Sequence, residues 1–190
     1  VSISKLNSSG DFFFVYNKNV LLKELKFNKR GLALSRRIAA EGSVLLKNDN
    51  HVLPLKKGEK IALFGRNQVD TYKGGGGAAD LWAVKCQNYA DGLEKLGNVY
   101  KPLLKKYRDT SAANRDLSLG KFHHSFNQHK YCLPEVRLTD DEVKTASTKC
   151  DVAIVFIGRF AIEGRDIKDI AGEYRITGQE EQMIAQVTKH

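Results

Sequence analysis

Two apolar runs of the same design, each followed by Gly-Arg, constrain the fold of this chain more than any other feature. The first run is Ile61–Phe64 before Gly65-Arg66, and the second is Val152–Ile157 before Gly158-Arg159. Runs that are this short and this apolar are typical of strands buried on both faces, as in a parallel sheet. A polar loop follows each one. The repetition predicts an α/β fold in which parallel strands alternate with helices.

Helical signals flank these two strands. The periodicity predicts helices over Asn28–Glu41, over Lys85–Leu96 before Gly97, and over Tyr100–Arg108. Thr139 and Thr177 each stand three residues before a glutamate, which is the spacing of a capping box at a helix start. A strand is one interpretation of the apolar cluster at Phe12–Tyr16, and a docking arm is the other.

Composition excludes several classes of function. The net charge is +9, but the lysines and arginines are scattered, so a solvated basic surface is favoured over a nucleic-acid interface. No apolar run approaches the roughly 20 residues of a membrane span. The N-terminal residues lack the layout of a signal peptide, and three widely spaced cysteines favour reduced thiols. These features favour a cytoplasmic protein without a nucleic-acid or membrane partner.

Glu163 is the first candidate for chemistry. It follows the second strand by six residues, and ligands of open α/β sheets bind beyond the carboxyl ends of the strands. An ordinary solvated loop is the alternative. A general acid needs a raised pKa, whereas the nearby cations Arg159, Arg165 and Lys168 favour an ionised carboxylate. A glycosidase would also need a second carboxylate, about 5 Å away in a retaining enzyme, and the residues nominate none.

Other motifs support weaker hypotheses. The run Gly74–Gly77 invites a phosphate site, but no G-x-x-x-x-G-K-[ST] motif and no ribose-binding acid accompany it, so a tight turn or a close approach to a compact ligand is favoured. The spacing of His123, His124, His129 and Cys132 fits no closed tetrahedral metal site. The sequence therefore predicts neither a metal nor a cofactor.

Several blocks, in order, resemble one known family. They are RRIAAEGSVLLKND at residues 36–49, LPL at 53–55, KIALFG at 60–65, YKGGGG at 72–77, DVAIVFIGR at 151–159, and EGRD at 163–166 with GEY at 172–174. Together they resemble the α/β sandwich domain of glycoside hydrolase family 3, of the β-glucosidase and β-xylosidase type. The resemblance covers residue 30 to the end of the chain, and the first block is its most specific motif.

The resemblance implies roles for individual residues. Glu163 aligns with the general acid/base glutamate of the family's G-E-G-x-D-R loop, and Asp166 aligns with its aspartate. The glycine-rich loop borders the sugar site in such enzymes. The implied substrate-binding residues are Lys73, Gly74, Gly75, Gly76, Gly77, Ala78, Asp80, Arg159 and Asp166. The sequence departs from the family pattern at Gly76, Ala78, Ile162 and Ile167.

The resemblance also implies an architecture. Residues 1–28 are expected to form an N-terminal arm or extension. Residues 29–190 are expected to form the first part of an open, flavodoxin-like α/β sandwich, with a mostly parallel sheet, helices on both faces and an incomplete C-terminal end. The nucleophilic aspartate of such enzymes lies on a separate (β/α)₈ barrel, which takes about 250 residues and cannot be part of this chain.

The function that this resemblance implies is part of a retaining, exo-acting β-glycosidase that supplies the acid/base loop. Its partners would be a β-glucoside or related oligosaccharide and the barrel domain of the same protein, and no cofactor would be needed. The isolated chain is expected to be inactive because it lacks the nucleophile. The departures at Ala78, Ile162 and Ile167 keep an alternative open, namely a non-catalytic sugar-binding or structural module.

Overall fold

The computed structural model describes residues 3–6, 12–14, 29–72, 87–114, 134–161 and 163–190. The chain divides into two units, Val1–Pro54 and Leu55–His190. The predicted glycine-rich loop, Lys73 to Asp80, and the four candidate metal ligands between residues 123 and 132 lie outside the described residues. No described helix is long and apolar enough to cross a membrane.

The first unit contains a hairpin and one long helix. Strands β1 (Ile3–Leu6) and β2 (Phe12–Phe14) pair antiparallel, so a strand is confirmed within the N-terminal aromatic cluster. Helix α1 spans Lys29–Glu41, which confirms the helix predicted from periodicity. A short 3₁₀ turn follows at Asp49–His51.

The second unit contains a three-stranded parallel sheet. Its strands are β3 (Lys60–Phe64), β4 (Asn98–Val99) and β5 (Val152–Val155), in the spatial order β4-β3-β5. The first strand lies in the middle, and the chain moves to one side of it for β4 and to the other side for β5. This order confirms the α/β fold with parallel strands, and it places a topological switch point between β3 and β5.

Four helices accompany this sheet in the described residues. They are α2 (Tyr89–Leu96), α3 (Lys101–Ala113), α4 (Asp140–Lys149) and α5 (Gly178–Lys189). Both predicted capping boxes are present, because Thr139 and Thr177 accept from the backbone N–H three residues on and the glutamate there accepts from the cap N–H.

Alternate side chains of β3 point to opposite faces of the sheet, and helices pack against both faces. Ala62 and Phe64 pack in one cluster with Val143 of α4 and Met183 of α5. Ile61 and Leu63 pack in a second cluster with Ala90 of α2, Val99 of β4 and Leu104 of α3. The two clusters confirm the expected layer of helices on each face.

The two apolar runs differ in burial, contrary to the expectation drawn from their similar composition. All of Ile61–Phe64 is buried, whereas Val152, Ile154 and Val155 are half-buried and Ala153 is exposed. The difference in burial arises from the position of each strand in the sheet. Among the described strands, β3 has a neighbouring strand on each side, whereas β5 has a neighbouring strand on one side.

The carboxyl ends of β3 and β5 come very close together. Gly65, which follows β3, has φ +89°, and a Cβ at this position would overlap the carbonyl oxygen of Phe156. The Gly65 N–H donates to the buried hydroxyl of Tyr107 at 2.9 Å, and this hydroxyl contacts the sulfur of Met183 at 3.7 Å. Glycine is therefore required here both by the backbone conformation and by the close approach.

Candidate functional site

The segment between β5 and α5 is called here the β5–α5 loop (residues 156–177), and it carries Glu163. The carboxylate of Glu180 links the two ends of this loop. Glu180 of α5 is 8% exposed. Its two oxygens accept from the two terminal nitrogens of Arg159 at 2.8 Å each. One of them also accepts from the backbone N–H of Thr177 at 2.7 Å. Glu180 thus joins the first residues of the loop to its last residue.

Neighbouring groups stabilise the negative charge of the Glu180 carboxylate. Burial by itself would raise the pKa of this carboxyl group, but the hydrogen bonds from Arg159 and Thr177 and the positive charge of Arg159 outweigh it and lower the pKa. Arg159 also donates to the carbonyl oxygens of Gly158 at 2.8 Å and Arg175 at 3.1 Å. The bidentate pair of Arg159 with Glu180 fixes the relative orientation of the two side chains as well as the distance between them.

Two further ion pairs order the outer part of the loop. Arg165 contacts Glu173 at 2.6 Å, and the backbone N–H of Lys168 donates to the same carboxylate at 2.8 Å. Arg175 makes a two-pronged pair with Asp169 at 2.7 Å. The Lys168 N–H, followed by Arg165, lowers the pKa of Glu173, and Arg175 lowers that of Asp169. Because these pairs lie near solvent, they contribute order more than stability.

The predicted site residues lie at different depths in this loop. Glu163 is exposed in a tight turn with Gly164, which has φ +77°. Asp166 is exposed, and Arg159 is half-buried and paired with Glu180. Their proposed contacts with substrate remain predictions. The predicted glycine-loop residues lie outside the described part of the chain.

A cleft of about 330 Å³ opens at the switch point, beyond the carboxyl ends of β3 and β5. It lies between the turn after β3, the segment before α4, the base of the β5–α5 loop and the first turn of α5. Its polar lining includes Arg66, Tyr72, Glu135, Arg159, Gln179 and Glu180. This is the place where open α/β sheets bind their ligands.

Glu135 is a half-buried acidic group on the β3 side of the cleft. Its two oxygens accept from the backbone N–H of Arg66 at 3.0 and 2.8 Å, and one accepts from the N–H of Val136 at 2.7 Å. Burial raises the pKa of this carboxyl group, although the two N–H donors and the Arg66 charge act in the opposite direction. The Glu180 charge adds slightly to the increase.

Sequence reasoning did not single out Arg66, Glu135, Gln179 or Glu180 as site residues. Arg66 has a local signal, since Gly65-Arg66 repeats the Gly158-Arg159 pair after the second strand. Glu180 was predicted as a capping residue, but its pairing with Arg159, 21 residues earlier, has no local signal. Glu135 lies in the segment with the weakest periodicity. Within the described part of the chain, no three histidine, cysteine or acidic side chains cluster as metal ligands.

Residues 43–190 match the profile of the glycosyl hydrolase family 3 C-terminal domain. The chain belongs to glycosyl hydrolase family 3. It is 31% identical to β-glucosidase A of Butyrivibrio fibrisolvens over 165 aligned residues, and this alignment covers 85% of this chain and 19% of that protein. It is 37% identical to a β-glucosidase of Ruminococcus albus over 152 aligned residues, and this alignment covers 79% of this chain and 16% of that protein.

Solved β-glucosidases of this family share the fold. The β-glucosidase of Paenibacillus barengoltzii superposes with a TM-score of 0.74 at 38% identity, covering 82% of this chain and 17% of that protein. β-Glucosidase 3B of Thermotoga neapolitana, solved in complex with α-D-glucose, superposes with a TM-score of 0.75 at 32% identity, covering 85% of this chain and 22% of the other. This family 3 chain therefore spans less than a quarter of the length of these four relatives.

Proposed function

We propose that this chain is the acid/base-bearing part of a retaining, exo-acting β-glucosidase, and that Glu163 is its general acid/base. The observation that carries the proposal is the position of Glu163. It lies beyond the carboxyl end of β5, in a loop whose base is closed by the Arg159–Glu180–Thr177 contacts. The β-glucosidase relatives support the substrate class.

The proposed reaction has two steps. In the first, the Glu163 carboxyl group donates its proton to the glycosidic oxygen while a carboxylate from the barrel attacks the anomeric carbon and the aglycone leaves. In the second, the Glu163 carboxylate takes a proton from water, which attacks the anomeric carbon and releases the sugar and the barrel carboxylate. The configuration at the anomeric carbon is retained because it is inverted twice.

In this proposal the β5–α5 loop positions Glu163, and the barrel domain would supply the surroundings that a general acid requires. Glu163 is exposed in this chain. A general acid at neutral pH needs burial or a second carboxylate nearby, and the barrel would provide both on covering the loop. Asp166 and the residues of the glycine-rich loop, Lys73 to Asp80, would then border the sugar.

The leaving-group dependence of a Glu163→Gln variant tests the acid role. The test uses a fusion protein in which this chain replaces the matching segment of the Thermotoga neapolitana enzyme, since the two superpose over 85% of this chain. Glu163→Gln should lower kcat/KM by about 10²–10⁴-fold on an alkyl β-glucoside, whose leaving group needs a proton, and far less on a dinitrophenyl β-glucoside. Glu181→Gln, an exposed change on α5, is the matched control.

Full turnover of the alkyl glucoside by the Glu163→Gln fusion would contradict the acid/base role. A parent fusion that binds glucose but hydrolyses neither substrate would favour the alternative of a non-catalytic sugar-binding module. The departures from the family pattern at Ile162 and Ile167, on either side of Glu163, are the observation that favours this second candidate.

A further inference from the structure

We infer that Tyr72 and Phe160 are a pair of positioning residues for Glu163, in which the tyrosine ring holds the β5–α5 loop against the turn after β3 (residues 65–72). This inference rests on the acid/base role proposed for Glu163. It adds to that role the contacts that place an exposed carboxyl group, and both residues of the pair belong to the described part of the second unit.

Glu163 needs an anchor between its own position and the base of the loop. The Arg159–Glu180 pair fixes the chain at Arg159, whereas Glu163 itself is exposed in a tight turn. Phe160 is half-buried, and Ala161 after it is exposed. Among the described residues, Phe160 is therefore the last one before Glu163 whose side chain packs against the protein.

The side chain that Phe160 packs against includes the ring of Tyr72. The two ring centroids lie 5.7 Å apart, and the ring planes are tilted by 51°. This is a favourable arrangement for two aromatic rings, since the edge of one ring can approach the face of the other. Because β3 and β5 are neighbouring strands, the contact joins the two segments that leave their carboxyl ends.

Tyr72 is itself held at both ends by the turn after β3. Its backbone N–H donates to the side-chain oxygen of Asn67 at 3.3 Å, and its hydroxyl accepts from Arg66 at 3.2 Å. The hydroxyl of Thr71 donates to the carbonyl oxygen of Asn67 at 2.7 Å. These contacts restrict the rotation of the Tyr72 side chain, so its ring is a fixed surface for Phe160.

The turn after β3 is fixed to the rest of the second unit. The Arg66 N–H donates to both oxygens of Glu135, and the fully buried Gln68 amide donates to a β3 carbonyl oxygen at 3.0 Å. The Asn67 side chain packs on Gly158, where a Cβ would lie 2.2 Å from its amide nitrogen. A turn with contacts on three sides can hold the loop that packs on it.

A second aromatic pair offers a matched comparison. The Tyr89 ring stacks on Phe156 with the centroids 5.1 Å apart. Phe156 directly follows β5, and its backbone N–H donates to the carbonyl oxygen of Phe64 at 2.9 Å. Strand pairing therefore holds Phe156 without the Tyr89 ring, and loss of that ring should leave Glu163 in place.

The dependence on leaving group in the fusion with the Thermotoga neapolitana enzyme tests the pair. Tyr72→Leu and Phe160→Leu should each lower kcat/KM about tenfold on an alkyl β-glucoside, because a displaced acid protonates the glycosidic oxygen poorly. On a dinitrophenyl β-glucoside, whose leaving group needs no proton, kcat/KM should change less than about twofold. A purely structural loss would lower both values alike.

Three further variants separate positioning from general packing. Tyr72→Phe keeps the ring and should retain kcat/KM on the alkyl glucoside within about threefold of the parent fusion. The double variant Tyr72→Leu/Phe160→Leu should be less than about twofold worse than the weaker single variant, because both changes remove one contact. Tyr89→Leu should leave the ratio of the two kcat/KM values unchanged.

The order of the loop in the chain itself gives a second measurement, which is independent of catalysis. In the ¹⁵N-labelled chain, Tyr72→Leu and Phe160→Leu should each lower the heteronuclear NOE of the Glu163 and Gly164 amides, which reports motion on the ps–ns timescale. Tyr89→Leu should leave both amides as in the parent chain. This comparison decides the matter if a fusion variant does not fold.

Three results would each overturn the inference. They are equal losses on the two glucosides, independent losses that multiply in the double variant, and an unchanged NOE at Glu163 and Gly164 in the two single variants. The acid/base role fails separately, if Glu163→Gln shows no dependence on the leaving group. The NOE comparison would then still decide whether Tyr72 and Phe160 hold the loop.

Discussion

Glu180 joins the two ends of the β5–α5 loop through a single buried carboxylate. The group accepts from Arg159 at the start of the loop and from Thr177 at its end, and it also completes the capping box of α5. A half-buried guanidinium left without its carboxylate is more costly than a lost surface ion pair, because its remaining charge is only partly solvated. This residue therefore affects both the stability of the chain and the position of Glu163.

The lowered pKa of Glu180 predicts a pH-dependent cost for Glu180→Gln. The folded pKa lies below the reference value of 4.5, so the contribution of the carboxylate is complete above about pH 4.5 and is lost as the pH falls through the folded value. We expect Glu180→Gln to lower the free energy of unfolding by about 2 kcal/mol at neutral pH. Urea unfolding between about pH 7 and pH 3 should show this difference shrinking with acidification.

Glu181→Gln provides the control for this experiment. Its side chain is exposed on the same turn of α5, so it should change the free energy of unfolding by less than about 0.5 kcal/mol. A Glu180→Gln difference that stayed constant with pH, or grew in acid, would show that the Arg159–Glu180 pair does not stabilise the folded chain as described.

At the scale of elements, the site depends on the close approach of the two strand ends. Gly65 and Gly158 follow β3 and β5, and a Cβ at either position would overlap Phe156 or Asn67 respectively. The turn after β3 then delivers the Arg66 N–H to Glu135, and the chain after β5 delivers Arg159 to Glu180. The equivalent Gly-Arg pairs thus fix the two sides of one cleft.

Gly65→Ala should separate the strand ends and destabilise the chain by more than about 3 kcal/mol, since it combines backbone strain with overlap against Phe156. Gly58→Ala is the matched control, because Gly58 has a similar φ of +94° with no neighbouring atom within 4 Å. It should cost only about 1 kcal/mol, the strain alone. Equal losses in thermal or urea unfolding would show that the close approach at Gly65 is not required.

Sequence patterns predicted the elements better than the contacts between them. The helix over Lys29–Glu41 and the two capping boxes rest on periodicity and short spacings, which local residues determine. The burial difference between β3 and β5 depends on strand order, and the pairing of Glu135 with Arg66 joins residues 69 positions apart. Interactions of that kind arise from topology, so no local pattern contains them.

At the scale of the whole molecule, the proposed chemistry requires more than this chain. A retaining glycosidase needs two carboxylates about 5 Å apart, and the chain supplies Glu163 as one candidate. It spans 16–22% of the four family 3 β-glucosidases compared with it. The proposed role of Glu163 therefore has to be measured where the β5–α5 loop meets a barrel with its nucleophile.

Azide rescue of Glu163→Ala in the fusion with the Thermotoga neapolitana enzyme provides that measurement. A dinitrophenyl β-glucoside can form the glycosyl-enzyme without an acid, but release then lacks its general base. Azide, an anion that needs no base, can enter the space left by the carboxylate and attack the anomeric carbon, displacing the barrel carboxylate. We predict faster turnover with azide and β-glucosyl azide as the product. No acceleration by azide, or α-glucosyl azide as the product, would contradict the role of Glu163 as acid/base of a retaining enzyme.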